Sequence, residues 1–314
     1  MSDDSSARTG ATPANASANT SVSTPADAFE AQRRYLGSVA YRLLGSLTDA
    51  EDVLQEAWLR WRAADRSAVD DPRAYLTTVV TRLCYDLLGS ARVRRESYFG
   101  EWLPEPLVSD EDTPAQRAEL GESVSLALLA VLEQLTPAER AAFVLHDVFS
   151  VGFDEIAASL ERTPDAARQL ASRARRRVRA GGRRGPVDPA EHRQVVRAFA
   201  AATAGGDIRA LLDVLDPDVV WHSDGGGIVS AGARPVFGAD KVSRLVAGLA
   251  RKFADTFGVA FALVNGEPGL LFHDADGTVG GVLALTVADG RITEAHIVVN
   301  PQKLTHVTRV TVTP

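Results

Sequence analysis

Apolar residues recur at helical spacing from Phe29 to about Arg95. Leu36, Val39, Ala40, Leu43 and Leu44 form one stripe, and Val53, Leu54, Ala57, Trp58 and Trp61 a second. Asp71-Pro72 starts a third helix, with proline at its favoured first position. Residues 100–114 hold three prolines and several acids, the composition of an extended linker. Helices resume at about Ala115 and run to Ala180, and Thr136-Pro137-Ala138-Glu139 is a capping box. Glycines 181, 182 and 185 with Pro186 break the chain again, and past Asp188 the period changes. Two helices (about 189–204 and 207–215) lead to a short β-like run at 219–221 and a helix over about 241–253. Strand-like runs follow at 259–264, 269–273, 280–287 and 292–299. Asn265-Gly266, Asp276-Gly277 and Asp289-Gly290 lie between them as hairpin-turn signals. Helices followed by a meander predict an α+β domain with a curved antiparallel sheet.

A chain of 314 residues suits two or three domains. Residues 1–27 are mostly small and polar, which predicts a disordered tail. They lack the apolar stretch of a signal peptide, and no later run reaches the length of a membrane span, so a cytoplasmic protein with no membrane partner is expected. The single cysteine, Cys84, offers neither a disulfide framework nor a cysteine metal site. No phosphate-binding glycine loop or His/Cys cluster is present, so NTPase and metalloenzyme readings fall away, and no cofactor or metal is expected.

Net charge is −7, which at first argues against a nucleic-acid partner. The charge is uneven, however. Residues 162–184 contain nine arginines against one acid, Asp165, a local charge of +8 that leaves −15 on the rest. Local field, not the average, steers a polyanion. This segment follows a helix-turn-helix pattern. Phe153, Ile156, Ala157 and Leu160 line a short first helix, Glu161-Arg162-Thr163 makes the turn, and Thr163 caps a second helix opening at Pro164-Asp165. The second helix presents Arg162, Thr163, Ala166, Arg168 and Gln169 to a groove, with Arg173, Arg175, Arg176 and Arg177 further along for phosphates. Arg168 and Gln169 are the side chains able to read a base edge. Glu161 stands where such turns favour glycine.

The run Asp49-Ala50-Glu51-Asp52-Val53-Leu54-Gln55-Glu56-Ala57-Trp58-Leu59-Arg60 resembles the core-binding helix of the extracytoplasmic-function (ECF) sigma factors. The resemblance implies that Asp49, Asp52, Gln55, Glu56 and Leu59, neighbours on one helix face, dock on the β′ clamp helices of RNA polymerase. It further implies that the helix after Asp71-Pro72 receives the melted −10 strand through Tyr75, Thr78, Arg82, Tyr85, Arg92, Arg94 and Arg95. The helix-turn-helix would then read the −35 element beside the β flap. The expected partners are core RNA polymerase and promoter DNA.

The last third resembles a SnoaL-like (NTF2-like) domain, from Val196-Arg197-Ala198-Phe199 to Val219-Val220-Trp221. One ECF class joins these parts in this order. Three segments match that class: Trp102-Leu103-Pro104-Glu105-Pro106, Asp224-Gly225-Gly226-Gly227 and Asn300-Pro301-Gln302-Lys303-Leu304. The resemblance implies that these segments, Asn300, Pro301 and Lys303 among them, form a regulatory contact between the extra domain and the sigma core. Some members carry lysine after the glycine triplet, where this chain has Ile228.

The expected architecture is therefore multidomain. A tail (1–27) precedes an all-α sigma domain 2 (28–98), a linker (99–115), an all-α sigma domain 4 (116–184) and a SnoaL-like α+β domain (188–314). The alternative is a helix-turn-helix regulator whose SnoaL-like domain binds a small molecule or catalyses a reaction. His222, Asp224, His273, Asp274 and His296 are the candidates for chemistry, but they show no defined acid–base pair, so an enzyme is not expected. A small-molecule ligand of the C-terminal domain stays a candidate partner.

Overall fold

The computed structural model describes residues 25–96, 98–109, 124–180 and 187–307. Helix α1 (Pro25–Leu44) begins inside the segment expected as tail, because the Trp61 indole N–H reaches back 2.8 Å to the Pro25 carbonyl. The helix buries Phe29, Leu36, Val39, Ala40, Leu43 and Leu44 on one face. It ends at Gly45, whose left-handed φ of 67° no other residue adopts as cheaply. Ser46 caps α2 (Leu47–Ala63), accepting from the Asp49 N–H at 3.1 Å. The Asp71 carboxylate caps α3 (Pro72–Glu96) through the Arg73 and Ala74 amides. These three helices form the first helical unit.

The second unit comprises α4 (Leu126–Leu132), α5 (Pro137–Phe143), a π turn (Val144–Val148), α6 (Phe153–Leu160) and α7 (Pro164–Ala180). The capping box at Thr136 and Glu139 forms as the sequence predicts. Both units share one continuous apolar core, in which Leu36, Leu43, Leu76 and Val80 join Leu129, Leu145, Ile156 and Leu170.

The C-terminal domain contains α8 (Pro189–Ala204), α9 (Ile208–Val214), β2 (Leu215–Asp224), β3 (Val236–Phe237), α10 (Ala239–Phe253), β4 (Gly258–Val264), β5 (Glu267–His273), β6 (Val279–Ala288) and β7 (Arg291–Val298). Asn265-Gly266 and Asp289-Gly290 turn the hairpins with all four residues at positive φ.

Two features depart from the expected antiparallel meander. The sheet is mixed, since β2 runs parallel to β7 with His222 beside His296 and Asp224 beside Val298. Its order is β1-β4-β5-β6-β7-β2-β3, and β1 (Val108–Ser109) comes from the interdomain linker, pairing with Val264 and Leu263. One sheet face packs Trp221, Leu283, Leu285 and Ala295 on Val196, Phe199 and Val246 of the helices. The other packs Ala262, Val264, Val282, Ala284 and Val298 on Leu103 of the linker and Leu126 of α4. Strand alternation thus buries both faces, the second against the rest of the protein.

Candidate functional site

Residues 98–109 form a strap across the C-terminal sheet, and its contacts are built from the three matching segments. The Asp224 carboxylate is wholly buried. It accepts from the Tyr98 hydroxyl (2.6 Å), the Leu103 N–H (2.8 Å), the Gly226 N–H (3.0 Å) and the Lys303 ammonium (2.7 Å). Lys303 also donates to the Leu103 carbonyl and lies 3.9 Å from the Trp102 ring centroid, a cation–π contact. Asn300 donates to the Tyr98 hydroxyl at 2.8 Å and caps the 3₁₀ turn Pro301–Lys303 through the Gln302 N–H. Burial first, and then the Asp224 carboxylate, push the Tyr98 phenol far above its usual range, so it remains a donor. A side chain on Gly226 would collide with Asn300 at 2.3 Å, which explains glycine there. Gly225 is buried, while Gly227 lies exposed against Phe99. Pro301 is exposed and Ile228 is 56% exposed.

The same strap grips the first helical unit. The Glu105 carboxylate accepts from the Leu47 N–H at 2.8 Å, the Glu105 N–H donates to the Gly45 carbonyl, and the Tyr41 hydroxyl donates to the Glu105 carbonyl at 2.7 Å. Asn265, a turn residue by sequence, donates to the Tyr41 hydroxyl and accepts from the Leu107 N–H. Pro104 and Pro106 are buried, and the Pro106 carbonyl lies 2.7 Å from His306 Nε2. A Cβ on Gly45 would fall 3.0 Å from Trp102, 3.2 Å from Glu133 and 3.4 Å from Pro104, so both helical units and the strap meet there. Tyr41, Gly45, Tyr98, Glu101, Glu133 and Asn265 escaped sequence reasoning. Each looks locally like an ordinary core, turn or linker residue.

His222 Nδ1–H donates to Glu101 of the strap at 2.9 Å, and its ring stacks on His296 at 4.7 Å and 9°. Burial, with the His222 ring alongside, pushes His296 down to about 3. His273 bonds the Asp274 carbonyl, and the Asp274 carboxylate caps a turn through Asp276 and Thr278. The unfolded chain protonates a histidine near pH 6.5 that the native state keeps neutral. The stability His296 contributes is therefore complete above about pH 6.5 and drains as pH falls toward about 3, by up to about 1.4 kcal/mol per unit. Urea unfolding near pH 7 and near pH 5.5 should show a drop about 1 kcal/mol larger in the wild type than in His296→Gln.

In α2, Asp52, Gln55 and Leu59 (55% exposed) face outward, Asp49 and Glu56 are half-buried, and Glu56 pairs with Arg60 at 2.9 Å. Tyr75 and Tyr85 are half-buried against the core. Thr78 is half-buried, and Arg82, although exposed, contacts the second helical unit. The Arg82 guanidinium donates to the Ala158 carbonyl of α6 at 2.9 Å and sits 3.7 Å from Glu161, while Ser159 donates to the Thr78 hydroxyl at 3.3 Å. Arg92, Arg94 and Arg95 fall outside the residues whose side chains are described.

On the helix-turn-helix, Arg162, Thr163, Arg168, Gln169 and Arg176 are exposed, and Ala166 is half-buried. Thr163 caps α7 through the Ala166 N–H, and Arg168 pairs with Asp165. Arg173 and Arg177 hold the Glu139 carboxylate at 3.1 and 2.6 Å, and Arg175 holds Asp147 at 2.6 Å. Burial works to raise the Glu139 carboxyl, but the Thr136 cap and the two arginines together hold it below the usual range. Glu161 sits at φ 54°, ψ 48°. Glu161→Gly should relieve that left-handed geometry and raise stability by about 1 kcal/mol, seen as a higher urea midpoint at unchanged slope.

No helix among the described residues is long and apolar enough to cross a membrane. Two family models match the chain: Sigma-70 region 2 over residues 28–94 and Sigma-70, region 4 over residues 125–178. The chain is 45% identical over 289 residues to the ECF RNA polymerase sigma factor SigJ of Mycobacterium tuberculosis, spanning 88% of this chain and 92% of that protein. It is 38% identical to the probable ECF RNA polymerase sigma factor SigI of the same species, over 88% and 93% of the two chains. The crystal structure of M. tuberculosis SigJ superposes with a TM-score of 0.73 at 42% identity, covering 88% of this chain and 97% of that one.

Proposed function

Because the chain belongs to the ECF RNA polymerase sigma factors, we propose that it binds core polymerase and promoter DNA and that its C-terminal domain restrains both activities through the strap. The outward face of α2, with Asp49, Asp52, Gln55, Glu56 and Leu59, docks on the β′ clamp helices. Tyr75, Thr78, Arg82, Tyr85, Arg92, Arg94 and Arg95 receive the melted −10 strand. The second helical unit sits by the β flap and reads the −35 element with Arg168 and Gln169, while Arg162, Thr163, Ala166, Arg173, Arg175, Arg176 and Arg177 position the helix on the backbone.

One observation carries the regulatory reading: Arg82 and Thr78 already hold α6. The Ala158 carbonyl and Glu161 fix the Arg82 guanidinium against α6 and occupy one of its terminal nitrogens, so the closed arrangement and the −10 strand compete for this side chain. The strap stabilises the closed arrangement by bonding the C-terminal domain to α1 and α2 around Gly45. A ligand of the C-terminal domain would act through this seam, by binding the released form better than the latched one.

Run-off transcription with purified core polymerase over a genomic promoter library tests the first part. Failure of the protein to associate with core would overturn it. For the second part, Glu105→Gln weakens the grip on α2 and should raise transcription at limiting protein. Unchanged transcription and unchanged core affinity would remove the restraining role.

A further inference from the structure

Beside the buried ion pair, four titratable side chains run in a row from the strap into the sheet: Glu101 of the strap, then His222, His296 and Glu294. Glu101 accepts from His222 Nδ1–H at 2.9 Å and from the Ser223 N–H at 3.3 Å. His222 stacks nearly parallel on His296, and His296 Nε2 lies 3.8 Å from Glu294. From this arrangement we propose that the Glu101–His222 contact is a proton-responsive clasp: protonation of His222 tightens the strap on the sheet, and deprotonation loosens it. The inference rests on the strap being the regulatory joint described above.

Two parallel imidazoles at 4.7 Å cannot both carry charge cheaply, and the site chooses between them. His296 is buried, and its Nδ1 meets no partner among the described residues. His222 is partly exposed and has Glu101 beside it, with Glu294 close enough for the two to attract. His296 is therefore the ring that stays neutral. β6, alongside β7, places Ala284 opposite His296 and Thr286 opposite Glu294, neither of them titratable. α4, packed on β6 and β7, is apolar throughout. The nearby ammonium of Lys303 is committed to Asp224.

Neutral His222 holds the carboxylate only in the tautomer with hydrogen on Nδ1. The imidazolium donates from both nitrogens, and the bond becomes charge-assisted. Histidine is the side chain whose unperturbed charge change lies near neutral pH. Glu101 adjoins Trp102, which carries the response into the Lys303 contact and the Gly45 junction.

Hydrogen exchange of the full-length protein at about pH 6 and about pH 8 provides the test. After correction for intrinsic exchange, the Leu103, Leu107 and Ser223 amides should exchange about fivefold more slowly at the lower pH. His222→Gln, which keeps an N–H donor, and Glu101→Gln should each abolish that difference. Equal protection of the wild type at both pH values, or a difference surviving in His222→Gln, overturns the clasp. Transcription by Glu105→Gln reports separately on the joint, so loss of the clasp and loss of the regulatory reading give different results.

Discussion

Asp224→Ala should destabilise the protein by about 3–5 kcal/mol, the largest effect expected of any single change at the strap. The carboxylate is fully buried and accepts four hydrogen bonds, from Tyr98, Leu103, Gly226 and Lys303. Its removal leaves the Lys303 ammonium buried beside the Leu103 carbonyl and the Trp102 and Tyr98 rings without the Asp224 carboxylate. Most of the loss is therefore the cost of a buried cation deprived of its Asp224 counter-charge, not the intrinsic worth of the pair. Asp224→Leu combined with Lys303→Met separates the two, because replacing both charges by apolar groups of similar size is often close to neutral. Urea unfolding should show the double variant recovering at least half of the single variant's loss. A double variant as unstable as Asp224→Ala would mean that the Tyr98 and Leu103 bonds, not the ion pair, hold the strap.

The elements of this protein were more legible in its sequence than their partnerships. Thr136-Pro137-Ala138-Glu139 and Asn265-Gly266 specify their own backbone within four and two residues, and both form as read. The apolar stripes of α1 and α2 state which face is buried. A stripe does not state what covers it. That is why the strand in the linker went unread: Val108 and Ser109 pair with residues some 155 positions later, and nothing local marks a two-residue edge strand. The parallel β2–β7 pairing was hidden for the same reason. Asn265 does two jobs, turning a hairpin and bonding Tyr41, and only the first has a sequence signature. The arginine run was legible as charge. The diversion of Arg173 and Arg177 onto Glu139 was not, because it depends on α7 crossing α5.

Arg140→Ala should produce opposite signs in stability and activity. The side chain is 3% exposed, and burial pushes its guanidinium down to about 9, so it remains charged at neutral pH. It donates to the Leu43 carbonyl at 3.0 Å and to Glu133 at 2.7 Å, tying the second helical unit to the end of α1 two residues before Gly45. Truncation removes the cation between two acceptors in a nearly dry seam and should cost about 3–5 kcal/mol of unfolding free energy. The Leu43 share of this cost falls on the closed arrangement, because that contact joins the two units and is absent once they separate, whereas the Glu133 pair lies within the second unit. Each 1.4 kcal/mol taken from the closed state shifts the ratio of open to closed tenfold. Thr78 and Arg82 are released from α6 as the seam opens, so promoter-dependent transcription at limiting protein should rise even as the urea midpoint falls. Arg140→Met, which keeps the packing of the side-chain stem, should fall between Arg140→Ala and the wild type in both measurements. A parallel decline of transcription and stability, at temperatures where the variant is still folded, would place Arg140 in the working form of the molecule and not only in its restrained one.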